Sequence, residues 1–411
     1  MSPASRPTSF WIPVAAASLL LAVAMGSRSS MGLFLGPINT STSLGAATVS
    51  LAIAASLLAW GAAQPAWGVW EKRAGAAQVI AIGAIGSSIS LALLAASSGG
   101  ASLAFTMLLG GTTGAALGAP LLMGVVAQRV PVARHGLAMG VISAGSSAGQ
   151  LIYALIGALL TSAFGWQAAV LAFAASLLAV APLARVFGAG AAAGPAAAPA
   201  TTKATPVVEA LRQPSYWYVT AGFFVCGFHV SFLTTHMPGV IDLCGLPPTF
   251  SGLWLAIVGA CNIVGSLGAG WLMQRMRIRL LLGAVYALRA LGVAAFIALP
   301  PGQPLLLGFA LWMGLTYMAT LPLTTGLLTR LYGAHTLAVL FGITMAMHQI
   351  GSFLGAWLGG VEVQLTGGYR WIWIADILLA TAAALVHLPI RDGNAQPRPR
   401  ESIVAQLEPA R

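Results

Sequence analysis

The sequence predicts an all-α membrane protein: twelve transmembrane helices in two six-helix, pseudo-symmetric bundles. Three observations carry that prediction. Of 411 residues, 58% are hydrophobic and only 7% charged, against about 25% charged in an ordinary soluble domain, so most of the surface must face lipid. Twelve apolar runs follow one another, each near the about 20 residues needed to cross a hydrocarbon core of about 30 Å. Finally, the chain repeats once. Gly68, Pro120, Gly140, Gly149 and Gly157 recur 202 residues later as Gly270, Pro322, Gly342, Gly351 and Gly359, and Arg73 recurs as Arg275. Two copies of one bundle can rock about a site held between them.

The runs lie at 11–36, 46–70, 77–97, 101–127, 136–163 and 167–187, then 215–241, 250–273, 280–299, 304–329, 337–361 and 370–388. The first looks superficially like a secretory leader, because Ala22-Val23-Ala24 imitates a cleavage site behind Arg6. Apolar character nevertheless resumes through Met31–Ile38, and Pro37 has a repeat mate in Pro238, so the segment reads as a retained helix. The fourth run carries Gly110-Gly111, Gly114 and Gly118, and the eighth Gly265, Gly268 and Gly270. Small residues at helical spacing let helix backbones approach closely in lipid. Between the halves, 188–214 opens with an Ala/Pro/Gly-rich stretch that has no periodic apolar face and reads as a flexible linker. The chain thus divides into a tail (1–10), one bundle (11–187), the linker, a second bundle (215–388) and a polar tail (389–411), the last expected to be disordered.

Basic residues set the orientation. Sixteen of the nineteen Lys and Arg fall in the tails and alternate loops: Arg6, Lys72, Arg73, Arg129, Arg134, Arg185, Lys203, Arg212, Arg275, Arg277, Arg279, Arg330, Arg391, Arg398, Arg400 and Arg411. The positive-inside rule puts those loops, the linker and both termini in the cytoplasm, as expected of a bacterial inner-membrane, multi-pass protein. The net charge of +11 is therefore a topology signal with a secondary attraction to anionic lipid, and nucleic acid is not an expected partner. Three cysteines, Cys226, Cys244 and Cys261, make neither a disulfide framework nor a metal spacing. No G-x-S-x-G, H-E-x-x-H or Walker loop is present, so an enzyme is not expected, nor is a cofactor or metal.

Two loops carry a duplicated motif. Gly68-Val-Trp-Glu71-Lys72-Arg73-Ala-Gly75 follows the second run, and Gly270-Trp-Leu-Met-Gln274-Arg275-Met-Arg277 follows the eighth. Both resemble the G-x-x-x-D-R-x-G signature of the major facilitator superfamily, in the loops joining helices 2–3 and 8–9. The resemblance spans residues 11–388 and implies that fold, alternating access, and a gating role for these loops. Lys72 and Gln274 stand where the family has aspartate, with Glu71 as a substitute displaced by about 100° around the helix. The plainer reading of Lys72 and Arg73 is topology alone. The helix-5 stretch GVISAGSSAG (Gly140–Gly149) lacks the Gly-Pro of drug antiporters, and Leu103–Ala119 lacks their arginine. GLFLGPI (Gly32–Ile38), GSSAGQ (Gly145–Gln150), GFFVCGFH (Gly222–His229) and HQIGSFLGAWLGG (His348–Gly360) resemble the bacterial monocarboxylate and oxalate/formate carrier branches more closely. Those branches place a cation in helix 8, where Asn262–Ser266 has none.

An ionisable residue in lipid is expensive unless it faces a cavity or a partner, so polar residues inside the runs are the site candidates. Arg28, past the middle of helix 1, has no acid near it in sequence, and its planar fork suits a carboxylate; the alternative is an arginine satisfied by carbonyls or snorkelling. His229 and His236, on one face of helix 7, are wall residues, proton carriers or satisfied packing groups, and His229 is the repeat mate of Arg28. Tyr317, His348 and Gln349 complete the substrate-binding candidates. Arg289 and Asp376, at similar depths in peripheral helices, are expected to form a structural ion pair. The function expected is monomeric secondary transport, with protons coupled to uptake of a small organic anion. The alternative is efflux of a drug or metabolite by proton antiport.

Overall fold

The computed structural model describes residues 10–131, 134–188, 207–333 and 336–390. Most of the linker and tails, with Arg6, Lys203, Arg391, Arg398, Arg400 and Arg411, lies outside the described residues. Twelve helices follow the apolar runs: α1 (Trp11–Thr42), α2 (Ala46–Ala74), α3 (Ala76–Ala95), α4 (Gly100–Ala127), α5 (His135–Phe164), α6 (Trp166–Phe187), α7 (Pro214–Leu243), α8 (Pro248–Leu272), α9 (Ile278–Ala298), α10 (Gln303–Tyr332), α11 (Leu337–Thr366) and α12 (Arg370–Val386). Eleven are long and apolar enough to span a membrane, and α12 has 17 residues. No strand occurs among the described residues.

Packing repeats with the sequence. In the first bundle α1 lies on α5, α2 on α4 and α3 on α6; in the second, α7 lies on α11, α8 on α10 and α9 on α12. Between the bundles α2 meets α11 and α5 meets α8, again a mated set. Two repeated glycines account for the tightest seams. A Cβ on Gly149 would strike the carbonyl oxygen of Ala22, and one on Gly351 that of Phe224, its mate in the other bundle. The seams α1–α5 and α7–α11 are thus backbone-to-backbone contacts, the packing mode open to helices that gain nothing by hiding apolar surface from lipid.

Three helices are discontinuous. After Ser29, α1 passes through a 3₁₀ turn, Met31–Phe34, and resumes at Leu35. α4 breaks at Gly118 and α10 at Met318–Ala319. Pro120 and Pro322, repeat mates, stand in the first turn after each break, where a missing N–H costs nothing. In lipid the freed backbone groups need partners. At the α10 break Arg289 Nη2 of α9 donates to the carbonyls of Thr316 (2.6 Å) and Tyr317 (2.8 Å). The Met318 N–H donates to Asn262 Oδ1 of α8 at 3.1 Å, while Asn262 Nδ2 donates to Ser147 Oγ of α5 at 3.2 Å. One amide therefore ties the break to the opposing bundle.

Contacts between bundles run from the face opposite the basic loops to mid-helix. Ala47 N–H donates to Gln364 Oε1 at 2.9 Å, Gly360 packs on Ser50, and Gln349 Nε2 donates to the Leu57 carbonyl at 2.9 Å. On the other side, Gly252 packs on Ala154 and Ala158, and Gly259 on Leu151. Gly32, in the 3₁₀ turn of α1, abuts the backbone of Thr234 in α7. The molecule is therefore closed toward that face.

Candidate substrate site

Arg28 occupies the last turn of the first segment of α1, where carbonyl groups point toward the break and favour a cation. Its guanidinium carbon stands 4.3 Å from the ring centroid of Trp60 in α2. Both line a cavity of about 80 Å³ enclosed mainly by α1, α2, α3 and α4, together with Ser27, Ser56, Ser87 and Ser90. That volume holds about two or three waters at about 30 Å³ each. Ser27, Ser56 and Ser90 donate to the carbonyls of Ala24, Ile53 and Thr106, and Ser87 bonds the Thr113 hydroxyl. Their protons are largely committed, which leaves Arg28 as the cavity's main donor. Among the described residues Arg28 has no ion-pair or hydrogen-bond partner. Tyr317, from the other bundle, lies close enough to interact with it electrostatically.

The second bundle holds a separate polar cluster, and it corrects two expectations. Arg289 and Asp376 do not pair directly. Arg289 grips the α10 carbonyls, and Asp376 Oδ2 instead takes His229 Nδ1 at 2.6 Å, both residues being buried. Similar depth placed Arg289 and Asp376 side by side in the sequence reading, but depth says nothing about direction around a helix axis. The same pair removes His229 from the substrate wall: although it is the repeat mate of Arg28, it turns into the α7–α12 seam. His236 is likewise a packing residue, with Nε2 bonded to the Ala356 carbonyl at 2.7 Å and its ring against Gly359. His348 Nδ1 faces Gln349 Oε1 at 3.0 Å, and Gln349 spends its amide on the Leu57 carbonyl across the bundle interface. Of the six substrate candidates, Arg28 and Tyr317 come together. Trp60 and Asn262 were missed, because an aromatic and a single amide in apolar runs carry no mark of the partners that folding brings to them.

Comparison with known proteins gives this architecture its family. The Major Facilitator Superfamily profile matches residues 17–356 and 245–409, more than half of the chain. The chain belongs to the Major Facilitator Superfamily. It is accordingly a multi-pass membrane protein of a superfamily of transporters rather than of enzymes. Within the superfamily it is 25% identical over 268 residues to an uncharacterized MFS-type transporter, YcxA, of Bacillus subtilis (strain 168). That match covers 62% of this chain and 64% of the relative, slightly under two thirds of its length. It is 27% identical over 376 residues to monocarboxylate transporter 11 of Mus musculus, covering 87% of this chain and 82% of the mouse protein. Among solved structures, a bacterial homolog of the human lysosomal transporter Spinster, in an inward-facing and occupied conformation, superposes with a TM-score of 0.78 at 16% identity. The alignment covers 93% of this chain and 97% of that one, which shows a shared fold.

The superfamily's loop motifs sit at the ends of α2 and α8. Lys72 and Arg73 occupy the last turn of α2, where cations offset the carbonyl end of the helix. Glu71 interacts with Arg129 beyond the end of α4; burial lowers the Arg129 pKa and the Glu71 carboxylate opposes that shift. Arg129 Nη2 also donates to the Phe187 carbonyl at 2.9 Å. In the second copy Arg275 lies over Trp271, 3.7 Å from the ring centroid, and Gln274 Nε2 donates weakly to the Gly270 carbonyl at 3.4 Å. Arg277 occupies the residue position just before α9.

Proposed function

We propose that this transporter moves a small organic anion, a mono- or dicarboxylate, into the cell together with protons, with Arg28 as the anion's anchor. The observation that carries the reading is a guanidinium inside the membrane, facing a cavity, with no acid to neutralise it. Such a charge is costly unless a ligand completes it, and a carboxylate fits its fork bidentately. The Trp60 ring lies against the guanidinium, and Tyr317 of the other bundle interacts with it electrostatically. The small cavity favours a compact ligand. The mouse relative is named a monocarboxylate transporter, which points to the same chemistry. We further propose that the basic loops, the linker and both termini lie in the cytoplasm, so that the closed face is the outer one and this state opens inward. His348 and Gln349 then serve bundle closure, and the loop residues Glu71, Lys72, Arg73, Gln274, Arg275 and Arg277 serve the gate.

The test is a binding screen on the purified monomer by calorimetry: acetate, pyruvate and succinate against their uncharged amides and a panel of lipophilic drugs. Saturable binding of at least one carboxylate, with its amide inert, is the expected result. Equal binding of acid and amide, or binding of drugs alone, removes the anion reading.

A further inference from the structure

The polar cluster of the second bundle lines no part of the cavity around Arg28, yet it holds buried groups of both charges. Asp376 is the only buried carboxylate among the described residues. One of its oxygens meets His229 at 2.6 Å, while the other, Oδ1, is buried without a hydrogen-bond partner. Arg289, equally buried, spends Nη2 on the two α10 carbonyls and leaves Nε and Nη1 without partners. It remains within electrostatic range of Asp376. A buried charge cluster with unmatched atoms on both signs is costly, and in a membrane such groups mark ion and proton pathways.

We propose that the His229–Asp376 pair is where a driving proton binds, and that Arg289 carries its protonation state to the break in α10. This rests on the proton-coupled reading above and assigns that coupling to residues. With neutral imidazole and ionised carboxylate, the pair carries one negative charge, which balances Arg289. A proton from one side of the membrane binds Asp376 Oδ1, the oxygen without a partner, neutralises the pair, and leaves from that atom to the other side. Once the pair is neutral, Arg289 loses the Asp376 counter-charge and is held by the Thr316 and Tyr317 carbonyls together with its contact to the Cys226 thiol. Those carbonyls end the first segment of α10, and Tyr317 is also the residue that interacts with Arg28. The break in α10 therefore joins the proton site to the anion cavity. Arg289 is the charged group that interacts with Asp376, and the titratable groups around the cluster interact with Arg289 or with Cys226. These groups are Tyr286 on α9, Tyr317 on α10, His348 on α11, and Cys226 on α7 itself, whose thiol faces the Thr320 hydroxyl at 3.1 Å. His236 stands further along α7, with Nε2 bonded to the Ala356 carbonyl of α11 and Nδ1 buried without a partner.

The full-length protein in lipid tests this without a known substrate. Spin labels at the ends of α2 and α10 report the bundle separation as pH is stepped from roughly 5 to 8. Infrared difference spectra of the same samples report carboxyl protonation. Wild type is expected to shift its distance distribution with pH and to show a protonated-carboxyl band at the acid end. Asp376→Asn should lose both, and hold at every pH the distribution that wild type shows at low pH. His229→Gln should keep the carboxyl band but move its midpoint. Arg289→Gln should keep the band and lose the distance change, because the link to α10 is cut. Should Asp376→Asn not fold, an unmoved midpoint in His229→Gln overturns the assignment in its place. A folded Asp376→Asn variant that shifts with pH as wild type does also overturns it, while leaving proton coupling intact. A wild-type protein insensitive to pH in both readouts defeats the coupled reading itself.

Discussion

At the scale of single residues, the proposed anion reading rests on Arg28. Among the described residues it is the cavity's free donor, and the serines around it offer mainly acceptor lone pairs because their protons are committed to carbonyls. A charge-assisted hydrogen bond contributes about 1.5–3 kcal/mol, so Arg28→Ala should weaken binding of the carboxylate identified in the screen by roughly tenfold to a hundredfold or more. Arg28→Lys restores charge without the fork and should recover only part of the loss. Trp60→Leu, which removes the ring beneath the guanidinium, should cost about 0.5–2 kcal/mol. Calorimetry and thermal unfolding on the same purified variants check all three. Full affinity in a folded Arg28→Ala variant would reassign the arginine to structure. Arg28 was legible in the sequence because a lone cation in an apolar run is conspicuous. Its stacking on Trp60 was not, since the two are 32 positions apart on different helices. The Asp376 partnership failed for a related reason: the sequence gives the depth of Asp376, Arg289 and His229 but not which way each turns.

Helices were far more legible than their side-chain partners, because length and apolarity determine a span whatever it packs on. The repeat added a second layer, since a glycine conserved between two halves of one chain has to answer to the same contact twice. The structure divides those repeated glycines by what surrounds them. Gly149 and Gly351 press on the backbone carbonyls of Ala22 and Phe224, Gly157 and Gly359 on the rings of Phe173 and His236, and Gly140, Gly342, Gly68 and Gly270 on nothing within 4 Å. A side chain pressed onto backbone cannot be accommodated by a rotamer change, so Gly149→Val and Gly351→Val should each destabilise the protein by about 1–3 kcal/mol or more. Gly140→Ala and Gly342→Ala are the controls and should leave the unfolding temperature in detergent nearly unchanged. Equal losses in all four would mean that glycine serves these helices through flexibility and not through close approach. The break in α10 was invisible for the opposite reason: Arg289 and Asn262 satisfy its freed backbone groups, and neither residue breaks a helix by itself.

For the whole molecule, the question is which face of the membrane the closed end addresses. The bundles meet from the Ala47–Gln364 contact to mid-helix, and the basic loops crowd the opposite face. Positive charge is retained on the cytoplasmic side during insertion, so the closed face should be the outer one. The chain offers a native probe for this, because Cys244, just past the end of α7 on the closed face, is exposed while Cys226 is buried and Cys261 is partly covered within α8. A membrane-impermeant maleimide should therefore label wild-type protein in intact cells, and Cys244→Ser should remove that labelling. In the Cys244→Ser background, Ser98→Cys in the α3–α4 loop should restore it. Gln128→Cys after α4, and Glu209→Cys in the short helix Val207–Arg212, should react only once the membrane is permeabilised. None of these substitutions removes a Lys or Arg, so the topology signal stays intact while it is read. Labelling of Gln128→Cys or Glu209→Cys in intact cells would invert the orientation, and with it the inward-open assignment of this state. The cavity around Arg28 would be untouched by that result, because Arg28 and Trp60 sit within one bundle whichever way the protein faces.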